Sequence, residues 1–176
     1  MNRRTTLATL TLLSLATALT MGPAIGQEKQ HVSFKSPAET SKYTQQVNID
    51  VGDVPNHIVR AWEVHRTYPN APPTFNGIKL VEEWERGIGD RIDGNGDGRF
   101  YHVYVMENGD KFFVRNEAII QRTATGKLAS VGAGHIFGGT GKLESIQGTT
   151  RNATTFDPKA GVADEGELDI EYLMGR

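Results

Sequence analysis

The dipeptide Asn108-Gly109, set between two runs of β-branched and aromatic residues, most limits what this chain can fold into. The runs cover residues 99–107 and 110–120 and have the composition that favours strands. Asn-Gly is a common two-residue hairpin loop, because both central residues of a type I′ turn need positive φ. The sequence therefore predicts an antiparallel hairpin over residues 99–120.

A two-residue turn also determines which residues of the hairpin share a face, starting with Glu107 opposite Asp110. One predicted face is nearly all apolar and is expected to be core; it contains Val103, Val105, Phe112 and Val114. The alternate face mixes aromatic and polar side chains and is expected to face either solvent or a partly polar cavity. That mixed face contains Phe100, His102, Tyr104, Met106, Lys111, Phe113, Arg115 and Glu117.

Strand-like runs also occupy much of the remaining chain, and no segment carries a helical stripe with caps at both ends. These runs cover residues 58–68, 78–86, 128–137, 143–150 and 167–173. Residues 87–98 and 157–166 are predicted to be loops, the first because it is rich in Gly and Asp. Many short strands joined by turns indicate an all-β protein that forms a closed antiparallel barrel.

The start of the chain is typical of a signal peptide over residues 1–26. Arg3 and Arg4 precede an uncharged apolar run at residues 7–21, and small residues follow at 24–26. A membrane anchor is the alternative, but the run is short against the roughly 20 residues that span a bilayer. The protein is therefore expected to be exported, to the periplasm or beyond the cell.

Two regions are predicted after the signal peptide. Residues 27–56 are polar and expected to be a largely flexible leader, with residues 47–51 as an optional first short strand. Residues 57–176 are expected to form a single β-barrel domain, since 150 of the 176 residues remain after cleavage.

Charge and cysteine content exclude several classes of function. Loss of Arg3 and Arg4 would take the formal charge from −2 to −4, which argues against a nucleic-acid partner and against docking on anionic lipid. We expect no membrane association after signal cleavage. The chain has no cysteine, so thiol catalysis and cysteine-based metal sites are excluded. No cofactor is predicted.

The run Asp93-Gly94-Asn95-Gly96-Asp97-Gly98 resembles the first half of a calcium-binding loop. Such a loop closes with a bidentate Glu at its twelfth position, and here that position is Tyr104. We therefore predict no metal site and interpret the run as turn-forming residues. Weak calcium binding assisted by Asp90 is the alternative.

Two further patterns do not have the spacing that their chemistry requires. Gly138-Gly139-Thr140-Gly141-Lys142 is followed by Leu143 where a phosphate-binding loop needs Ser or Thr, so it is predicted to be a turn between strands. The isolated histidines show no zinc-ligand spacing and are expected to be solvated or packed. They are His57, His65, His102 and His135.

A family resemblance rests on three segments: GHIFGGTGKLESIQG at residues 134–148, ENGDKFF at 107–113 and GELDIEYL at 166–173. With these segments, residues 78–172 resemble bacterial proteins of the allene oxide cyclase-like and dirigent-like group. The resemblance implies a calycin-like barrel of about eight strands that works without a cofactor and is often trimeric. The resemblance therefore also makes a homo-oligomer, such as a trimer, an alternative to a monomer. The plant enzymes' functional residues have no clear counterparts here, so none is transferred.

The candidate ligand-binding residues come from the mixed face of the hairpin and the strand before it: Glu82, Trp84, His102, Tyr104 and Arg115. Rings with a few polar groups suit a lipid-like or aromatic ligand with one polar end, so the predicted function is binding or steering a small apolar molecule. Three alternatives stay open: the mixed face lies on the surface, the protein is a cofactor-free cyclase or isomerase, or its interior is filled by its own side chains.

Overall fold

The structure, a computed structural model, describes residues 28–157 and 166–175. The predicted signal peptide lies outside the described residues, as does most of the loop predicted at 157–166. The strands are β1 (Gln30–Ser36), β2 (Ser41–Asp50), β3 (His57–Thr67), β4 (Thr74–Phe75), β5 (Ile78–Ile92), β6 (Asn95–Met106), β7 (Lys111–Arg122), β8 (Leu128–Gly139), β9 (Ile146–Phe156) and β10 (Gly166–Met174). Single 3-10 turns occupy Ala38–Thr40 and Gly141–Leu143. Nothing helical in the described ranges is long and apolar enough to cross a membrane.

The ten strands form one antiparallel sheet, which confirms the all-β prediction. Its order is β1-β10-β9-β8-β7-β6-β5-β3-β2, and the two-residue β4 pairs with the start of β5. Most neighbouring strands are also neighbours in sequence, as in a meander. The exception is β1, which pairs with β10 from Gln30 opposite Tyr172 to Ser36 opposite Gly166.

The predicted closed barrel of about eight strands is wrong in its closure and in its strand count. Eight antiparallel steps separate β1 from β2, so the two strands run in the same direction, and they follow one another in sequence. β1 lies at one edge of the sheet, beside β10, and β2 lies at the other edge, beside β3. Pro37 and the 3-10 turn Ala38–Thr40 connect the two strands. No backbone ladder joins β1 to β2 among the described residues, so the sheet is not closed into a barrel.

The predicted register of the central hairpin is wrong by one residue. The Gly109 amide donates to the Met106 carbonyl at 2.9 Å, and the Met106 amide donates to the Asp110 carbonyl at 2.8 Å. Gly109 has φ +85°, whereas Asn108 is not left-handed. The loop therefore has three residues, 107–109, which form a type I turn that ends with the left-handed Gly109. In this register Tyr104 lies opposite Phe112.

This one-residue slip reverses the facing of β6, because side chains alternate with a period of two. Phe112 and Val114 are buried as predicted, but Val103 and Val105 lie on the outer face and are only half-buried. The buried side chains of β6 are instead those of His102, Tyr104 and Met106.

Two segments predicted to be irregular are strands. The leader at residues 27–56 contains β1 and β2, whose few inward-facing residues include the half-buried Phe34. Much of β2 is exposed, which explains its polar sequence. The loop predicted at residues 87–98 consists of the ends of β5 and β6, joined by Asp93-Gly94. Both turn residues have positive φ, at +52° and +83°, as a type I′ turn requires.

The inner face of the rolled sheet is divided into two ends. The apolar end, nearer the β6–β7 hairpin, is a cluster of buried residues: Tyr68, Phe75, Ile78, Leu80, Tyr104, Met106, Phe112, Val114, Ile136, Leu143, Ile146, Leu168, Ile170 and Tyr172. The polar end, nearer the β5–β6 hairpin, contains buried Arg66, Glu83, Glu85, Arg91, His102, Asn116 and Ser130. The sheet therefore has one conventional core and one buried polar site.

Candidate functional site

Arg66 on β3 is the centre of the polar end. Its Nη1 lies 3.0 Å from Oε1 of Glu83 and 2.8 Å from Oε2 of Glu85, two neighbouring inward-facing residues of β5. Arg66 is 4% exposed and Glu83 is 1% exposed, so this ion pair is removed from water. A charge at this depth is tolerable only when it is paired and hydrogen-bonded.

Three further side chains donate to the two carboxylates. Nδ1 of His102 lies 2.8 Å from Oε1 of Glu83, and the Tyr68 hydroxyl donates to Oε2 of the same residue at 2.5 Å. Nε1 of Trp62 donates to Oε1 of Glu85 at 2.9 Å. An ionised carboxylate only accepts, so His102 donates to Glu83 from Nδ1, and its Nε2 is buried without a partner among the described residues.

Local sequence explains why these residues point inward. On β3 the inward phase is Trp62, Val64 and Arg66, so the arginine takes its place in an otherwise apolar alternation. On β5 a register shift between Leu80 and Glu82 moves the inward phase to the odd-numbered Glu83 and Glu85.

Gly87 makes room for the indole of Trp62. A Cβ atom at Gly87 would lie 2.2 Å from that ring, so no larger residue fits without moving it.

The ion pair keeps both glutamates ionised. Burial alone would raise the pKa of Glu83, but the charge of Arg66 and the hydrogen bond from His102 outweigh it and hold the pKa at about 2. Burial would also raise the pKa of Glu85, and the charge of Arg66 lowers it overall. Burial, followed by the negative charge of Glu83, raises the pKa of both Tyr68 and Tyr104, so these phenols stay protonated.

The cluster has the composition of a metal site but not its electrostatics. Ligand atoms of Glu83, Glu85 and His102 lie within 4.8 Å of one another. The Arg66 guanidinium already contacts both carboxylates and supplies their counter-charge, so a metal ion would have to displace it. We therefore assign the cluster as an ion-pair network.

In the calcium-like run, Asp97 lies opposite Asp90 in the β5–β6 ladder, whereas Asp93 is in the turn between these strands. Oδ1 of Asp93 accepts from Nδ2 of Asn56 at 2.7 Å, and Asp90 and Asp97 are exposed on the outer face. Within the described ranges they belong to no group of His, Asp or Glu side chains placed to hold an ion.

Beside the network lies a cavity of about 70 Å³. This is space for about two water molecules at the roughly 30 Å³ that each occupies in the liquid. Its walls are contributed by Ser36, Tyr43, Arg60, Trp62, Arg66, Glu83, Glu85, Arg91, Phe100, His102, Asn116, Ile120, Ser130, Asn152, Thr154, Phe156 and Leu168.

Several polar atoms on these walls are buried without a hydrogen-bond partner among the described residues. They are Nε of Arg60, Nε of Arg66, Nε of Arg91, Nε2 of His102 and Oδ1 of Asn152. Buried polar atoms normally have a hydrogen-bond partner, so these atoms are available to bind a molecule in the cavity.

The five predicted ligand-binding residues are divided between two faces of the sheet. His102 and Tyr104 are buried inside, and only His102 lines the cavity. Trp84 lies on the outer face, stacked on His65 with 4.2 Å between ring centroids, and its Nε1 donates to Glu82 at 3.2 Å. Arg115 is also on the outer face.

Sequence reasoning missed most residues of the polar end. The alternation of Trp62, Val64 and Arg66 would have placed the arginine inside. Glu83 and Glu85 carried no such signal, because the bulge in β5 shifts the phase in a way that a regular period of two does not show.

No protein-family model, no curated protein and no solved structure matches this chain. The resemblance to the allene oxide cyclase-like and dirigent-like group stays a prediction that rests on the segments quoted above. Export and the homo-oligomer also stay predictions.

Proposed function

We propose that this chain binds a small organic molecule in the cavity at the polar end. The observation that carries the proposal is that the cavity wall combines aromatic rings with buried polar atoms that no described residue satisfies. An unsatisfied buried donor or acceptor costs about 1–3 kcal/mol, and a ligand with a matching polar group removes that cost.

The dimensions favour a compact ligand. Trp62 and Phe100 line the cavity with their ring centroids 5.5 Å apart, and Ile120 and Leu168 add apolar surface. A volume of about 70 Å³ is far below the roughly 300–1,000 Å³ of pockets for drug-sized ligands, so the ligand can be no larger than a single ring, and a long lipid-like chain does not fit. Of the two ligand types expected from the sequence, we therefore propose the aromatic type.

A cofactor-free cyclase or isomerase is the second candidate function. His102 favours it, because Glu83 holds its Nδ1 and leaves Nε2 without a partner at the cavity wall. A base oriented by a carboxylate in this way can move a proton on a bound molecule. If the protein binds a small molecule and does not convert it, the binding proposal stands and the enzymatic one fails.

Titration with benzyl alcohol tests the binding proposal. Trp62 lines the cavity and Trp84 does not, so a Trp84→Phe background makes Trp62 the reporter of its own site. We expect saturable quenching of Trp62 emission. Ser130→Leu fills the cavity and should weaken binding at least tenfold, whereas Ala133→Leu, on the exposed outer face, should leave it unchanged.

The proposal fails if no saturable signal is seen in protein whose circular dichroism and melting temperature show it to be folded. It also fails if Ser130→Leu and Ala133→Leu bind equally well. Either result would favour the alternative in which the interior is filled by the protein's own side chains and binds no ligand.

A further inference from the structure

Two arginines lie at the end of the cavity away from Arg66. Arg60 on β3 and Arg91 on β5 both line it and are diagonal neighbours across the β3–β5 ladder, in which Arg60 pairs with Gly89. Arg91 is 9% exposed. The cavity therefore has a cationic region that is separate from the Arg66 network.

Aromatic rings hold these guanidinium groups in place. Cζ of Arg60 lies 5.2 Å from the ring centroids of both Tyr43 and Trp62. Cζ of Arg91 lies 5.4 Å from the Trp62 ring and 5.8 Å from the Phe156 ring. Stacking on a ring face fixes the plane of a guanidinium but leaves its edge, which carries the N–H donors, directed elsewhere.

Neither arginine has a carboxylate partner among the described residues. Arg60 donates from Nη2 to the neutral Gln46 side chain at 2.6 Å, and Nε of each arginine is buried without a partner. The two carboxylates on the cavity wall, Glu83 and Glu85, are already bound to Arg66. Burial, followed by the nearby charge of Arg60, lowers the pKa of Arg91 and outweighs the opposing effects of Tyr43 and Glu85, as expected for a buried cation without a carboxylate in contact.

We infer that Arg60 and Arg91 form a binding site for the carboxylate of an aromatic acid whose ring occupies the adjoining cavity. This inference rests on the proposed function and names the class of its ligand. A carboxylate matches the guanidinium edge with parallel N–H···O bonds. It also supplies the negative charge that the region lacks, while Trp62 and Phe100 provide the surface for a ring.

Benzoate and benzamide provide the test, because they share shape and ring and differ in charge. In the Trp84→Phe background, benzoate should quench Trp62 emission with a Kd at least tenfold lower than that of benzamide. Arg91→Met and Arg60→Met should each remove most of this preference and leave benzamide binding within about twofold, which also shows that the cavity is intact. Arg115→Met, on the outer face, is the matched control and should change neither Kd.

The outcomes separate the two proposals. If benzamide binds as tightly as benzoate, the cavity binds rings and the carboxylate site is refuted. The same holds if the preference survives both arginine substitutions. If inorganic phosphate displaces benzoate at an equal concentration, the site recognises anions in general and the aromatic acid is refuted. If neither ring compound binds the folded protein, the proposed function fails together with the inference.

Discussion

The two ends of the interior use the same sheet and the same face for different purposes. At the apolar end, Phe112 packs against Tyr104 and Phe75 with centroid distances of 4.6 and 4.7 Å. At the polar end, an equally buried layer consists of Arg66 and two glutamates. A buried ion pair is often no more stable than apolar residues of the same volume. The apolar end is therefore expected to contribute more to stability, and the polar end is where we propose that a ligand binds.

The largest effect is expected from the apolar end. Phe112→Ala should lower the free energy of unfolding by about 3–5 kcal/mol, since the side chain is fully buried among other rings. Phe113→Ala is the matched control. Phe113 is half-buried on the outer face and should cost well under half as much. Urea unfolding measures both, and equal losses would contradict the observed register.

A somewhat smaller effect, and one that depends on pH, is expected from the polar end. Folding lowers the pKa of Glu83 from its ordinary 4.5 to about 2. The stabilisation is therefore fully present above pH 4.5 and is lost as the pH falls towards 2. The gap in unfolding free energy between the wild type and Glu83→Gln should shrink by about 3 kcal/mol over that range, at about 1.4 kcal/mol per pKa unit.

Phe112→Ala is the control for this pH dependence, because no titrating group is removed. Its gap from the wild type should stay constant from pH 7 to pH 2.5 in urea unfolding. A Glu83→Gln gap that is equally constant would show that the carboxyl is not stabilised in its ionised form, and the electrostatic contrast between the two ends would be lost.

The smallest effect on stability is expected from the two hairpin turns, β6–β7 at the apolar end and β5–β6 at the polar end. Asn108→Gly should destabilise by about 1–2 kcal/mol, because Asn108 is not left-handed, so glycine adds freedom to the unfolded chain, and because two hydrogen bonds with Asp110 are lost. Asp93→Gly should be close to neutral, since the strain that glycine relieves at φ +52° offsets the loss of the exposed hydrogen bond from Asn56. Thermal melting gives both values. Equal effects would mean that the two turns have the same geometry.

The sequence predicts those features of the fold that depend on neighbouring residues better than those that depend on how strands pair. The composition and turn residues were enough for an antiparallel all-β fold and for a hairpin at Asn108-Gly109. They were not enough for its facing, because two-residue and three-residue loops both use Asn and Gly, and one residue reverses a strand. The same dipeptide chemistry at Asp93-Gly94 predicts only a loop, because its flanks are rich in glycine.

The candidate site was less predictable for a related reason. Of the residues expected to contribute, His102 and Tyr104 are buried, whereas Glu82 and Trp84 lie on the outward-facing phase of β5. That phase is set by a bulge, which depends on pairing with β6 rather than on local composition. Arg60 and Arg91 meet only across the β3–β5 ladder, so no spacing in the sequence relates them.

The pairing of β1 with β10 has a consequence for the order in which the protein is made. The other ladders join segments that lie close together in the chain, so each can form soon after it emerges during synthesis. Of the described strands, the first to be synthesised, β1, has to wait for the last, β10. Throughout that interval its edge is unpaired and open to other chains. The side chains of Gln30, His31 and Lys35, which are exposed in the finished sheet, are of the kind that keeps such an edge soluble.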